Sequence, residues 1–200
     1  MLKPDIEILE RAVCYEGYFR LERYKLRHRL YAGGWSDEIV REVFHRGDGA
    51  AVLLYDPDLD QLVFIEQFRI GALNAPGGAW ITEVVAGAMQ ADEEPEGVVY
   101  REALEEANCR VDALIPICSY LVSPGGATER IHLYCGRVDA SQAGGIHGLD
   151  EEGEDIRVIV MSYDEALAEL NNGRLNSAAP VIAMQWLRLN RDNIRTQWRN

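Results

Sequence analysis

Residues 87–109 read GAMQADEEPEGVVYREALEEANC: a glycine, a glutamate six residues on, and an Arg-Glu pair eight beyond that, leading into Glu105 and Glu106. Pro95 suits the first turn of a helix, and Asp92, Glu93 and Glu94 stand near that helix's positive end. The spacing therefore predicts a helix opening at Pro95, with Val99, Ala103 and Ala107 as its buried stripe. On it Glu102, Glu105 and Glu106 fall at i, i+3 and i+4, so three carboxylates crowd one face, where like charges cost about 0.2–0.5 kcal/mol per i,i+4 pair. Taken alone, REALEEA is an ordinary solvated helix with an Arg101–Glu105 pair. The surrounding pattern points instead to divalent cations as the charge that offsets the repulsion.

The flanking runs read as strands. Trp80 to Gly87 leads into the helix as a strand; before it, Ala50 to Tyr55 and Leu62 to Phe68 are apolar strands joined by the turn Asp56-Pro57-Asp58, with a loop from Gly71 to Gly78. Further back, Ile6 to about Phe44 is rich in aromatic and alternating residues, with Gly33-Gly34 as a turn, which predicts two or three antiparallel strands. Beyond the helix, Ile115 to Val122 and Ile131 to Val138 read as strands around the loop Ser123-Pro124-Gly125-Gly126. Ala140 to Gly153 is a long polar connection, of a kind that is usually functional or disordered. A strand from Ile156 to Met161, a short helix from Tyr163 to Asn171 and an amphipathic helix from Ala178 to about Gln197, with Pro180 in its first turn, complete the chain.

A chain of 200 residues, 48% hydrophobic and 26% charged, is enough for one globular domain with a real core and a small appendage. Its net charge of −13 argues against nucleic acid or an anionic membrane surface as partner, since both are bound through positive fields. An anionic substrate would have to be neutralised locally by metals and a few placed arginines. Cys14, Cys109, Cys118 and Cys135 form no CxxC pair and no zinc-ligand spacing with His28, His45, His132 or His147, so they read as structural thiols. The N-terminus carries charges where a signal peptide needs an apolar run, and no stretch approaches the roughly 20 apolar residues of a membrane span, so the expected location is the cytoplasm.

The stretch from Gly87 to Cys109 resembles the Nudix box, a glycine, five residues, Glu, seven residues, Arg-Glu, an apolar residue, one residue, Glu-Glu, one residue, Gly, then an apolar residue. Gly87, Glu93, Arg101, Glu102, Glu105 and Glu106 meet six of its seven fixed positions. At roughly one in twenty per position, such a match arises by chance with a probability on the order of 10⁻⁵. The departure is Asn108 in place of glycine, at a helix end where a left-handed residue is wanted and Asn ranks next after Gly. Ala103 and Cys109 stand at the two apolar positions. The order of elements is similar to the Nudix fold: α/β class, an α/β/α sandwich with a mixed central sheet, preceded by a small N-terminal antiparallel sheet. The resemblance implies N-terminal strands over 1–46, used in dimerisation and substrate contacts, and a Nudix hydrolase domain over 47–200.

Nudix hydrolases cleave a nucleoside diphosphate linked to another moiety. Ser123 to Arg130, the segment HGLDEEGEDIRV from His147 to Val158, and the opening MLKPD with its aromatic continuation resemble bacterial ADP-ribose pyrophosphatases, with Pro124 fifteen residues beyond the box. The implied reaction is hydrolysis of ADP-ribose to AMP and ribose 5-phosphate. Another nucleoside-diphosphate sugar such as GDP-mannose, or a non-catalytic ADP-ribose-binding module, is the alternative. Mg²⁺, with Mn²⁺ as the other candidate, is the implied cofactor, at about two or three ions per site.

The resemblance makes Glu102 and Glu106 the principal metal ligands, Glu105 a ligand or water-mediated partner, and the carbonyl of Ala86 a further ligand. Arg101 and Glu93 frame the loop against the helix. Glu152, in the acidic run Asp150 to Asp155, is the expected general base, and Glu154 a metal ligand once that loop closes. Arg41, Glu42, Arg46, Arg69 and Ala88 match substrate-contact positions, Tyr18 and Phe19 offer a stacking face, and Ser123, Pro124, Gly125 and Glu129 suit the terminal ribose. The family pattern also implies a homodimer formed through the N-terminal strands.

Overall fold

A computed structural model describes residues 5–198, so the first four residues of the opening MLKPD lie outside the described residues. The chain divides into two compact units, residues 1–48 with 121–130, and residues 49–120 with 131–200.

Alternating residues of the first unit build a three-stranded antiparallel sheet: β1 (Ile6–Glu16), β2 (Arg20–His28) and β3 (Ile39–His45), in the order β1-β2-β3. Gly33 and Gly34 lie in the β2–β3 connection, both with positive φ. On the central strand Glu22 is buried: Arg11 donates to its carboxylate through Nε and Nη2 at 2.9 and 2.8 Å, and the Tyr24 hydroxyl donates at 2.5 Å. The segment 121–130 belongs to this unit through long-range backbone bonds that sequence periodicity does not encode. The Phe44 N–H donates to the Gly126 carbonyl at 2.8 Å, and the Thr128 N–H to the Phe44 carbonyl at 3.0 Å.

The second unit contains an eight-stranded mixed sheet: β4 (Gly49–Asp56), β5 (Gln61–Phe68), β6 (Trp80–Glu83), β7 (Val85–Ala88), β8 (Ala113–Leu121), β9 (Arg130–Arg137), β10 (Ile146–His147) and β11 (Ile156–Ser162). Its main path is β10-β11-β5-β4-β9-β8, with β4 and β9 parallel. Every residue of β4 is buried, as expected of a strand covered on both faces. Ala50, Val52 and Leu54 pack toward α1 (Pro95–Ala107), while Ala51, Leu53 and Tyr55 pack toward α2 (Tyr163–Asn171) and α3 (Ala178–Trp198). The result is the three-layer α/β arrangement that the order of elements predicts.

Two readings of the sequence are refined. The long connection from 140 to 153 contains the short strand β10 and a 3-10 turn at Asp150–Glu152. The run from Trp80 to Gly87 keeps one pleat but changes partner. β4 and β5 pair only at 54–56 with 61–63 and then diverge; β6 pairs with β5, and β7 pairs with β4. The pleat stays unbroken across the change, since Val84 packs in the α2/α3-side core and Val85 in the α1-side core.

Candidate active site

The box helix α1 starts with Pro95 and ends at Asn108, whose φ of 49° and ψ of 34° place it in the left-handed region. The Asn108 N–H donates to the Leu104 carbonyl at 3.1 Å and the Cys109 N–H to the Ala103 carbonyl at 2.8 Å, so asparagine does here what the glycine of the pattern would do. Val98, Val99, Ala103 and Ala107 are buried, and so is Glu106.

Glu106 lies on the buried side of α1, and its Oε2 accepts from the Ala86 N–H on β7 at 3.0 Å. Burial, reinforced by Glu102 and Glu154, pushes its carboxyl up to about 8; the Ala86 N–H and Arg69 act the other way. Burial also raises Glu102, against the pull of Arg101, and Glu105 and Glu154 add to the rise. The Glu102 side chain lies directly on Gly87: a Cβ there would stand 1.7 Å from Oε1. Only glycine permits that approach.

Arg101 donates through Nη1 to Glu102 Oε1 at 2.7 Å and Glu105 Oε2 at 3.0 Å, and its Nε reaches Glu93 Oε1 at 3.4 Å. Glu93 also accepts from the Gln90 N–H at 3.1 Å; that bond, with Arg101, holds it below the usual carboxylate range. This frame ties the loop before the helix to the helix itself. Among the described residues no three His, Cys, Asp or Glu side chains stand converged as a ready ligand set; Arg101 holds Glu102 and the Ala86 N–H holds Glu106.

The acidic loop meets the same face of α1. The Gly148 N–H donates to the Glu105 carbonyl at 3.3 Å, and Gly148, at φ +104°, lies against Glu154, where a Cβ would come within 2.7 Å of the Glu154 Cβ. Glu154 Oε2 accepts from the Leu149 N–H at 3.1 Å. Glu154 is thus the loop carboxylate brought beside Glu102 and Glu106, while Glu152 is exposed in the 3-10 turn.

Arg69 follows β5 and donates through Nε to Glu83 Oε2 at 2.6 Å. Ala88 is exposed at the end of β7, opposite Gly49. The sequence reading passed over Glu83; its one signal was a glutamate in an otherwise apolar strand run, WITEVVAG.

The remaining candidates belong to the first unit. Phe19 stands edge-on to the exposed Tyr18 at 4.7 Å and against Phe44 at 5.0 Å, with the Arg46 guanidinium 5.7 Å from its ring centre. Arg46 also pairs with Glu129 at 2.9 Å. Arg41 and Glu42 are exposed on β3, Arg41 opposite Tyr24 and Glu42 opposite Arg23. Ser123, Pro124 and Gly125 are exposed in a turn closed by bonds from the Gly126 and Ala127 N–H groups to the Ser123 carbonyl.

A family model described as the NUDIX domain matches residues 45–182. The chain belongs to the Nudix family. This Nudix protein is 45% identical over 196 residues to the ADP-ribose pyrophosphatase of Escherichia coli, covering 98% of this chain and 94% of that protein. It is 43% identical over 200 residues to the ADP-ribose pyrophosphatase of Haemophilus influenzae, covering 98% and 92% of the two chains. It is 35% identical over 195 residues to the GDP-mannose pyrophosphatase of Cronobacter sakazakii, covering 92% and 96%. A solved structure described as an ADP compounds hydrolase shares the Nudix fold with a TM-score of 0.70 at 15% identity, covering 92% of this chain and 95% of that one.

Proposed function

We propose that this Nudix protein hydrolyses the pyrophosphate bond of ADP-ribose, releasing AMP and ribose 5-phosphate. The observation that carries the reading is the group Glu102, Glu106 and Glu154 beside Gly87: burial first, and then the neighbouring carboxylates, raises the carboxyls of Glu102 and Glu106. Near-full-length likeness to ADP-ribose pyrophosphatases supports ADP-ribose ahead of GDP-mannose as the substrate.

Hard oxygen donors and an unmet need for positive charge fit Mg²⁺ or Mn²⁺. Glu102, Glu106, Glu154 and the Ala86 carbonyl would hold such ions, with Glu105 direct or through water. When bound, divalent ions neutralise non-bridging phosphate oxygens and acidify water. Arg101 keeps Glu102 and Glu105 oriented, and the Ala86 N–H keeps Glu106 turned toward β7. Glu152, free at the loop surface, takes the proton from the attacking water. That water's oxygen bonds to one phosphorus as the bridging P–O bond breaks. Arg69 pairs with the substrate's anionic oxygens.

Within the N-terminal unit, Tyr18, Phe19 and Arg46 offer the ring and cation that a nucleobase and phosphate take, and Arg41 and Glu42 further polar contacts. Ser123, Pro124, Gly125 and Glu129 suit ribose hydroxyls. Ile6, Ile8, Val13 and Tyr15 on β1 are each more than half exposed, which supports a homodimer through this sheet. Four free thiols support a cytoplasmic location.

Product analysis on ADP-ribose in labelled water, with and without Mg²⁺, tests the reading. AMP and ribose 5-phosphate formed only with the metal are expected, and a clear preference for GDP-mannose in a substrate panel would overturn it.

A further inference from the structure

The side chain of Arg69 runs back along its own strand. Its N–H donates to the Ala79 carbonyl at 2.7 Å, so Arg69 faces the start of β6. From there the register proceeds Phe68↔Trp80, Gln67↔Ile81, Glu66↔Thr82 and Ile65↔Glu83. The carboxylate that Arg69 binds is therefore the one opposite Ile65, four residues behind it.

Faces follow from the same register. Residues two apart share a face, and Ile65 and Val85 pack in the α1-side core, so Glu83, Val85 and Gly87 form one column beneath α1. Gly87 is where the Glu102 carboxylate rests, about 13 Å along the strand from Glu83. The buried Gln67 lies between Arg69 and Ile65 on this face.

Glu83 takes only Nε of the guanidinium. Among the described residues neither Nη has a hydrogen-bond partner, while the Arg69 side chain is 42% exposed and that of Glu83 only 18%. An arginine held by Nε presents both Nη groups together, the edge that engages two oxygens of one phosphate.

We propose that Glu83 is a positioning residue for substrate binding: it folds Arg69 back over β5 and β6 and aims its two Nη groups at the anionic oxygens of the bound diphosphate. The proposal rests on the reading of Arg69 as a substrate contact. A free arginine of this length would sample many rotamers, and ordering it only on binding would weaken affinity. Glu83 orders it beforehand and reaches no reacting atom itself.

Steady-state kinetics of Glu83→Gln, Glu83→Asp, Arg69→Ala and the Arg69→Ala/Glu83→Gln double variant test this, on whichever nucleoside-diphosphate sugar the wild type turns over best. A preference for something other than ADP-ribose then refutes the substrate assignment and leaves this test intact. Expected are a KM raised roughly 10- to 100-fold in Glu83→Gln with kcat within about twofold, and a partial return in Glu83→Asp. The double variant should be no worse than Arg69→Ala alone. Three results would overturn the proposal: a fall in kcat at constant KM, additive effects in the double variant, or an Arg69→Ala variant with unaltered KM. Should Glu83→Gln fail to fold, the Glu83→Asp variant in both Arg69 backgrounds gives the same comparison.

Discussion

The Ala86 N–H donates to the Glu106 carboxylate at 3.0 Å, joining the strand before the box to the helix at its end. Two positions twenty residues apart are thereby set against each other, and the bond fixes the only box carboxylate that is buried. That burial has a chemical cost and a use.

The cost is visible in pH. Because Glu106 is raised to about 8 from an ordinary 4.5, the folded protein keeps a proton that the unfolded chain releases across that window. Stability therefore declines as pH rises through it, by on the order of a few kcal/mol. In chelator, the melting temperature should fall between about pH 4.5 and pH 8, and Glu106→Gln should flatten that fall while lowering Mg²⁺-dependent turnover at least about a hundredfold. Wild-type turnover in this variant would remove Glu106 from the site.

Gly87→Ala places a methyl group where the Glu102 carboxylate lies. Either the carboxylate or the strand must move, at about 1–3 kcal/mol of stability. Turnover should drop about a hundredfold, since a small displacement of a reacting group costs that much. Melting and kinetics measured together check both; unchanged kcat would show that Glu102 needs no contact with the Gly87 backbone.

Glu22 carries the opposite shift. The Tyr24 hydroxyl first, then Arg11, holds its carboxyl down to about 2. Its contribution is fully present above about 4.5 and is lost as pH falls from there toward 2. Amide protection of residues 20–28, corrected for intrinsic exchange, should therefore decline in that window, and Tyr24→Phe should start the decline at higher pH. Flat protection down to pH 2 would contradict the assignment.

Asp60 secures α3. It accepts from the Tyr55 hydroxyl at 2.6 Å and from the Nε and Nη2 of Arg191, and pairs with Arg195 at 3.3 Å. Asp60→Ala removes the acceptor shared by Arg191 and the Tyr55 hydroxyl and the ion-pair partner of Arg195, and should cost about 2–3 kcal/mol. For a chain of this size that is roughly 5–10 °C in Tm, read by calorimetry, with kcat unchanged.

What the sequence disclosed and what it hid divide along physical lines. Pro95 and Asn108 bracket α1 as read, because helix ends are written in local chemistry; the Ser162–Glu165 capping box that starts α2 at Tyr163 is a signal of the same kind that the reading of the sequence passed over. The apolar runs of β4 and β5 disclosed a strand covered on both sides. The partner change at Val84 was hidden because periodicity reports which face a residue takes, not which strand it bonds. Grouping of 121–130 with the N-terminal sheet was hidden too, since it depends on bonds to Phe44 some eighty residues away. The box carboxylates were legible as a motif. Within Asp150 to Asp155, Glu154 was named as a ligand only through the resemblance; local chemistry does not reveal its inward turn, which depends on the positive φ of Gly148 and the fit of that glycine against Glu154.

The fork between β4 and β5 makes the strand that fills it a ruler. Its first half is held to one prong by Arg69 and Glu83, its second half to the other prong beside Ala86 and Gly87. One residue more or fewer between 83 and 87 would turn Glu83 and Gly87 to opposite faces, and one between 79 and 83 would slip Glu83 out of register with Ile65. The loop from 71 to 78 carries no such gauge. Natural variation in length should therefore collect in that loop and be absent from the strand, so that cation and carboxylates keep a constant separation while everything around them is free to grow.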